Sequence, residues 1–356
     1  MSLPLNGDGA NLRRGHSRCR AVTEMISPPP PENTTAFGVV VIGRNEGERL
    51  KQCLRSLGAA HAIVYVDSGS TDGSAQWVRD QGFDVVDLDM CIPFTAARAR
   101  NAGFRRLRKS NPKLAFVQFI DGDCELDANW PQEATRFLTT HSRVAAVCGR
   151  LRERYPNRSV YNWLCDREWN GPVGKIDSFD GNVMIRADAL EDVGGYREEV
   201  IAAEENELSL RIRSAGWTIF RIANPMGLHD AAMTHFLQWW RRTVRAGYAF
   251  AQGMYLHGAA PEHHFVWESR RALSWGVVMP ITCLVIGLSF GGWAWTAWLI
   301  YPAQFLRQTI RNSGPVKERV TVAFFELLAR FPEGWGQLKF AYDQFLKRQP
   351  QLIEHK

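Results

Sequence analysis

From residue 38 onward, short β-branched runs alternate with segments of helical periodicity. "GVVVI" (38–42) precedes a helix from Glu46 to about Leu57, "AIVYV" (62–66) a helix from Gly73 to about Asp80, and "DVVDL" (84–88) the stretch "TAARARNAGFRRLRK" (95–109). The next strand is "AFVQFI" (115–120). This alternation predicts an α/β, Rossmann-like fold: a mainly parallel sheet sandwiched by helices, with ligand chemistry in the loops after the strand C-termini. Asp67 and Asp121 end two of the strands and are expected on that common rim. After Trp130 the pattern loosens into turn formers and aromatics. A helix returns at "AEENELSLRIRSAG" (203–216), with Gly216 at its C-cap, and the strand-like "WTIFRI" follows. No internal repeat is visible.

The last quarter has a different pattern. Residues 272–306 contain no charged residue and exceed the ~20 residues one membrane span requires, but Gly291 and Gly292 divide them into two halves. Arg270 and Arg271 precede this stretch, and Arg307, Arg311, Lys317 and Arg319 follow it. Basic residues at both ends predict that both ends lie on the cytosolic face, hence a C-terminal apolar helical hairpin or re-entrant pair. Trp275, Trp293, Trp295 and Trp298 suit an interfacial belt; a buried hairpin or an oligomer interface is the alternative. Amphipathic helices are expected over residues 316–347. The chain therefore divides into a flexible basic, Pro-rich tail (1–36), a catalytic domain (37–255) and a membrane-associated helical region (256–356).

Composition narrows the function classes. With 356 residues, 45% hydrophobic and 22% charged, the chain can bury a large core. Its net charge of +6 suits nucleic acid, anionic lipid or phosphorylated substrates, and nucleic acid fits nothing else in the chain. The 7 cysteines lack a C-x-x-C pair, which argues against a zinc site or a disulfide framework and suits a reducing compartment. No apolar h-region opens the chain, so a secretory signal is not expected.

"FVQFIDGDCEL" (116–126) presents Asp121 and Asp123 one residue apart, and "VVDLDM" supplies a rival pair at Asp87 and Asp89. In an extended segment residues i and i+2 share a side, so Asp121 and Asp123 would present oxygens jointly. Together with "VVVIGRNEGERLKQCLRSL", "VDSGSTDGS", "ARNAG" and "GGYREEVIAAEENELSLRIRSAGW", this stretch resembles glycosyltransferase family 2, the inverting enzymes of the GT-A fold, over roughly residues 38–250. Asp87 and Asp89 have no place in that pattern.

The resemblance implies a divalent metal, Mg²⁺ or Mn²⁺, with Asp123 as direct ligand, Asp121 helping to place ribose and metal, and His229 completing the shell. It implies donor contacts from Glu46 after the first strand and Asp67 after the second, with Arg44, Asn45 and Arg100 beside them. For Asp67 an ordinary turn role stays open, and of Arg98 and Arg100 one is expected to be a solvated surface residue. Where the family shows Glu-Asp, this chain has Glu204 and Glu205. Glu205 is assigned as general base, and Glu207 is expected on a solvated face paired with Arg211. "QWWRR" is similar to an element of membrane-bound members in which Trp240 would stack on the acceptor sugar and Arg241 or Arg242 would touch the diphosphate. An aromatic core stripe on an amphipathic helix is the alternative.

The implied activity is metal-dependent, inverting transfer of a hexose from a nucleotide sugar to an acceptor hydroxyl. A lipid-linked oligosaccharide or a surface polysaccharide of the cell envelope is the expected acceptor, and the cytosolic face of the inner (cytoplasmic) membrane the expected location. A sugar-phosphate nucleotidyltransferase and a non-catalytic membrane scaffold with the GT-A fold are the alternatives.

Overall fold

The computed structural model describes residues 36–58 and 60–348; the basic tail lies outside the described residues but for residue 36. Nine strands form one sheet: β1 (Phe37–Gly43), β2 (Ala62–Asp67), β3 (Asp84–Asp87), β4 (Phe116–Asp121), β5 (Cys124–Leu126), β6 (Val144–Glu153), β7 (Gly174–Ile176), β8 (Val183–Arg186) and β9 (Thr218–His229). The order is β3-β2-β1-β4-β8-β6-β9-β5, with β7 also on β9. β1 pairs in parallel with β2 and β4, and β2 with β3, the arrangement expected from the alternating pattern. The second half is mixed. β8 runs antiparallel to both β4 and β6, β6 and β9 are parallel, and β5 and β7 run antiparallel to β9.

Helices α1 (Glu48–Ser56), α2 (Ser74–Asp80), α3 (Ala96–Ser110) and α4 (Trp130–Thr140) connect or flank the first strands. α5 (Val160–Glu168), α6 (Ala187–Asp192) and α7 (Glu204–Ser214) belong to the mixed half. β1 is buried on both faces, as its near-continuous valines require, and six of its seven residues are core. One polar pair lies deep in the core. The buried amide of Gln118 accepts from the indole of the buried Trp130 at 2.8 Å and donates to the Phe119 carbonyl at 2.7 Å, so neither group is orphaned.

The C-terminal region is helical. α8 (Phe236–His257) and α12 (Val316–Phe345) pack so closely that a Cβ on Gly247 would lie 2.0 Å from the Glu333 carbonyl oxygen. Between them, α9 (Val266–Leu273), one π-helical segment (Ser274–Val278) and α10 (Met279–Phe290) form a continuous helix of 25 residues, long and apolar enough to cross a membrane. At Gly291 the chain takes φ 60°, a left-handed value that suits glycine, and reverses into a 3-10 segment (Gly292–Leu299) and α11 (Ile300–Arg311). Three contacts define an antiparallel hairpin. Trp295 packs on Gly287, Cys283 donates to the Ala297 carbonyl at 3.6 Å, and Tyr301 donates to the Trp275 carbonyl at 2.7 Å. Its tip is exposed, Phe290 at 75% and Trp293 at 82%.

Candidate active site

Three chain segments meet at one arginine. Arg100, on the second turn of α3, is 2% exposed; its Nη2 donates to Asp121 Oδ1 at 3.1 Å, and its Nη1 lies 2.6 Å from Glu204 Oε1 and 3.0 Å from Glu205 Oε1. Asp121 ends β4, while Glu204 and Glu205 open α7, where negative charge also suits the helix dipole. One cation thus faces three carboxylates in a buried place. Burial above all, and next the charge of Glu204, push the Glu205 carboxyl up to about 8 against the opposing pull of Arg100. Gly181 closes the cluster: a Cβ there would meet Arg100 Nη2 at 2.8 Å, Asp121 Oδ2 at 3.0 Å and Glu205 Oε1 at 3.3 Å. Its neighbour Asn182 accepts from the Asp121 amide at 3.1 Å. "DGN" (180–182) carried no periodic signal, so Gly181 and Asn182 were not legible as site residues.

The second centre is built from Asp123 and His229. β4 ends at Asp121, and Gly122–Asp123 is a turn into β5, so the two aspartates do not share an extended segment and the same-side argument fails. Asp121 turns to Arg100, and Asp123 turns to His229, whose Nε2 lies 3.2 Å from Asp123 Oδ2. β9 continues seven residues beyond the expected "WTIFRI", through register shifts beside Arg150, and so carries His229 opposite Cys124 of β5. Trp169 stacks on the His229 ring at 4.5 Å and 14°, holding it in place. Acceptor atoms of Asp123, Cys124 and His229 all lie within 4.8 Å of one another, a donor set that fits a divalent cation.

The comparisons with known proteins agree with this layout. Residues 38–190 match the family model Glycosyl transferase family 2. Over those residues the chain is similar to that family. Among curated proteins, glycosyltransferase AglE of Haloferax volcanii is 23% identical over 207 residues, which cover 54% of this chain and 66% of AglE. Among solved structures, the mannosyltransferase PcManGT of Pyrobaculum calidifontis, in complex with GDP-Man and Mn²⁺, superposes with a TM-score of 0.59 at 20% identity, covering 89% of this chain and 90% of that one. At that identity the likeness establishes the fold, which is the GT-A type expected.

The remaining expected residues fall into different groups. Glu46 is buried beneath the turn at Gly122, with Arg49 Nη2 at 2.6 Å from its Oε2. Asp67 takes the turn role left open above. Its Oδ2 accepts from the amides of Gly69 and Ser70 at 3.0 and 2.8 Å, and its Oδ1 from Tyr65 Oη at 3.0 Å. Asn45 braces the same loop, accepting from the Thr71 amide at 2.7 Å, while Arg44 is exposed on the rim.

Arg98 is not a solvated arginine. It is buried and donates to the carbonyls of Ile92 and Pro93 at 2.7 and 3.0 Å, clamping the loop before α3. Glu207 is paired with Arg211 as expected, at 2.7 Å, but it is 2% exposed rather than on a solvated face. Asp87 pairs with Arg79 at 2.5 Å and Asp89 caps the Cys91 amide at 2.9 Å, so the rival aspartates are structural.

On α8 Trp239 is packed into the core, while Trp240 is half-buried. Trp239 is buried against Tyr161 and Phe325, and Trp240 lies against Phe236. Arg242 is held by Glu168 through two 2.9 Å hydrogen bonds, and Arg241 is exposed. Arg245, one turn further on, is the cation of this helix that lies in the field of Asp121, Glu204 and Glu205. Burial and Arg242 hold its pKa below the usual guanidinium value.

Proposed function

We propose that the chain is an inverting glycosyltransferase that moves a hexose from a nucleotide sugar to an acceptor hydroxyl. The observation that carries this reading is the Arg100 cluster, which gathers Glu205 and Asp121 at the end of β4, two residues before Asp123 of the Asp123–His229 pair. Glu205 takes the proton from the acceptor hydroxyl as that oxygen attacks the anomeric carbon from the face opposite the leaving diphosphate. A group near pKa 8 is matched to that task at neutral pH, because it is both available as a base and strong enough to pull the proton. Glu204 and Arg100 fix its position, and Asp121, shared with Arg100, ties the base to the donor side of the cleft.

Asp123 and His229, with Asp121 in support, would hold Mg²⁺ or Mn²⁺, which when bound supplies Lewis-acid stabilisation of the departing diphosphate. The GDP-Man and Mn²⁺ in PcManGT support a nucleotide diphosphate as the donor class. Glu46, Arg44 and Asn45 line the donor end of the rim, with Asp67 shaping the loop behind them.

The apolar hairpin between Val266 and Arg311 enters the cytosolic leaflet of the inner membrane, tip first, and sets the cleft beside a lipid-linked or polysaccharide acceptor. Its exposed tip and the arginines at both of its feet support this placement, as water penalises such a surface. Sedimentation with anionic vesicles tests it: wild type is expected in the pellet, and Trp293→Asp with Phe290→Asp in the supernatant.

Thermal-shift titration with nucleoside diphosphates and nucleotide sugars, with and without Mn²⁺, tests the activity class. A ligand at 100 times its Kd should stabilise by about 2.7 kcal/mol. Asp123→Ala should lose the Mn²⁺-dependent shift and all transfer while remaining folded; transfer that persists in EDTA would rule out the metal.

A further inference from the structure

The metal centre contains a residue that its expected chemistry does not use. Cys124 is buried, lies across the β5–β9 pair from His229, and has its Sγ 3.6 Å from Asp123 Oδ1. Hard cations such as Mg²⁺ and Mn²⁺ have no use for a thiol, whereas Zn²⁺ binds thiolate, imidazole and carboxylate together. The two carboxylate oxygens of Asp123 face the two flanking groups, Oδ2 at 3.2 Å from His229 Nε2 and Oδ1 at 3.6 Å from Cys124 Sγ, and one ligand atom from each of the three residues lies within 4.8 Å of the others, close enough to share one cation. Asn182 Nδ2 donates to Cys124 Sγ at 3.2 Å, and Trp169 stacks on His229, so both flanking ligands are already oriented.

We infer that Asp123, Cys124 and His229 form a zinc-binding site superimposed on the divalent-metal site of the proposed transferase. As Zn²⁺ binds, the Cys124 thiol releases its proton to solvent and the thiolate becomes a ligand, leaving one tetrahedral position open. Zinc therefore competes with Mn²⁺ for Asp123 and His229 and inhibits the Mn²⁺-dependent reaction.

The inference rests on the reading of Asp123 and His229 as metal ligands, and its test is made without nucleotide. The full-length protein is titrated with Co²⁺ as a spectroscopic substitute and with Zn²⁺ against a chromophoric chelator. Wild type should gain a thiolate-to-cobalt charge-transfer band. Cys124→Ser should lose that band and bind Zn²⁺ at least about tenfold more weakly, since even outer-shell changes cost that much, while Mn²⁺ binding persists. Cys91→Ser, at an exposed cysteine, should keep the band. His229→Ala should weaken zinc as well, and it carries the test if Cys124→Ser does not fold. A wild-type cobalt spectrum without the band, or a band and zinc affinity unchanged in both Cys124→Ser and His229→Ala, overturns the inference. Absent nucleotide binding with Mn²⁺ would instead overturn the transferase reading and leave the zinc result standing.

Discussion

Helix α7 carries two acidic clusters less than a turn apart, and they are built on opposite principles. Glu204 and Glu205 share one cation, Arg100, with Asp121, so three carboxylates compete for a single guanidinium. Glu207 is alone between two arginines, Arg211 at 2.7 Å and Arg197 at 3.7 Å, with a hydrogen bond to His257 at 3.0 Å. Burial would raise the carboxyl pKa in both places. Around Glu207 the hydrogen bonds and charge of Arg211 win and hold it below its ordinary value, whereas at Glu205 burial wins and the group rises to about 8. An oversupplied acid is a fixed anchor for its helix. An undersupplied one can exchange a proton near neutrality, which is what a base requires.

The largest effect is expected at the undersupplied cluster. Glu205→Gln should lower kcat by about 10²–10⁴-fold while nucleotide binding and the melting temperature hold, as read by turnover and thermal shift. Near-normal turnover would erase the distinction between the two clusters. The oversupplied cluster should answer in stability instead. Glu207→Gln is expected to cost about 2 kcal/mol, discounted for partners that are partly exposed, with kcat changed only a few-fold. Urea unfolding beside steady-state kinetics measures both.

The pH dependences should run in opposite senses. Glu207 has a depressed folded pKa, so its stabilisation is present above the unfolded value of about 4.3 and disappears as pH falls through the folded one. Glu207→Gln should flatten that acid limb in unfolding experiments across pH. In the proposed role of Glu205 as base the active form is the deprotonated one, so kcat/KM should rise with pH and level off above about 8. The smallest effect is the most specific. Glu204→Gln removes a charge that raises Glu205, so the break in that profile should move to lower pH, and an upward shift would contradict the assigned cause.

Much of the fold was legible in the sequence. The alternation of β-branched runs with helical periodicity located β1 to β4 and α1 to α3 within a residue or two, because strands buried on both faces must be continuously apolar. The second half was less legible. Antiparallel β8 enters from an irregular stretch, and β9 runs through Asn224 and Pro225, which read as turn residues, by means of register shifts. Among site residues, motif resemblance named Arg100, Asp121, Asp123, Glu204, Glu205 and His229. Gly181 and Asn182 carried no such signal, and the partition of the two aspartates between Arg100 and His229 was misread as joint presentation.

The cysteines illustrate the same limit. Their spacing reports only ligands that are neighbours in the chain. Cys124 meets His229 through strand pairing across 105 residues, the difference between the two positions.

By itself, the sequence determined which segments are apolar enough to be strands, which residue types stand at strand ends, and that an uncharged stretch of residues 272–306 must find an apolar environment. Those properties follow from local composition and the transfer of side chains out of water. Only the tertiary structure decided that Arg98 clamps a loop while Arg100 gathers three acids, that Trp239 packs and Arg242 is held by Glu168, and that Glu205 titrates near 8. Charge pairing and desolvation depend on which groups share a few ångströms of buried space, and that is set by how distant segments pack.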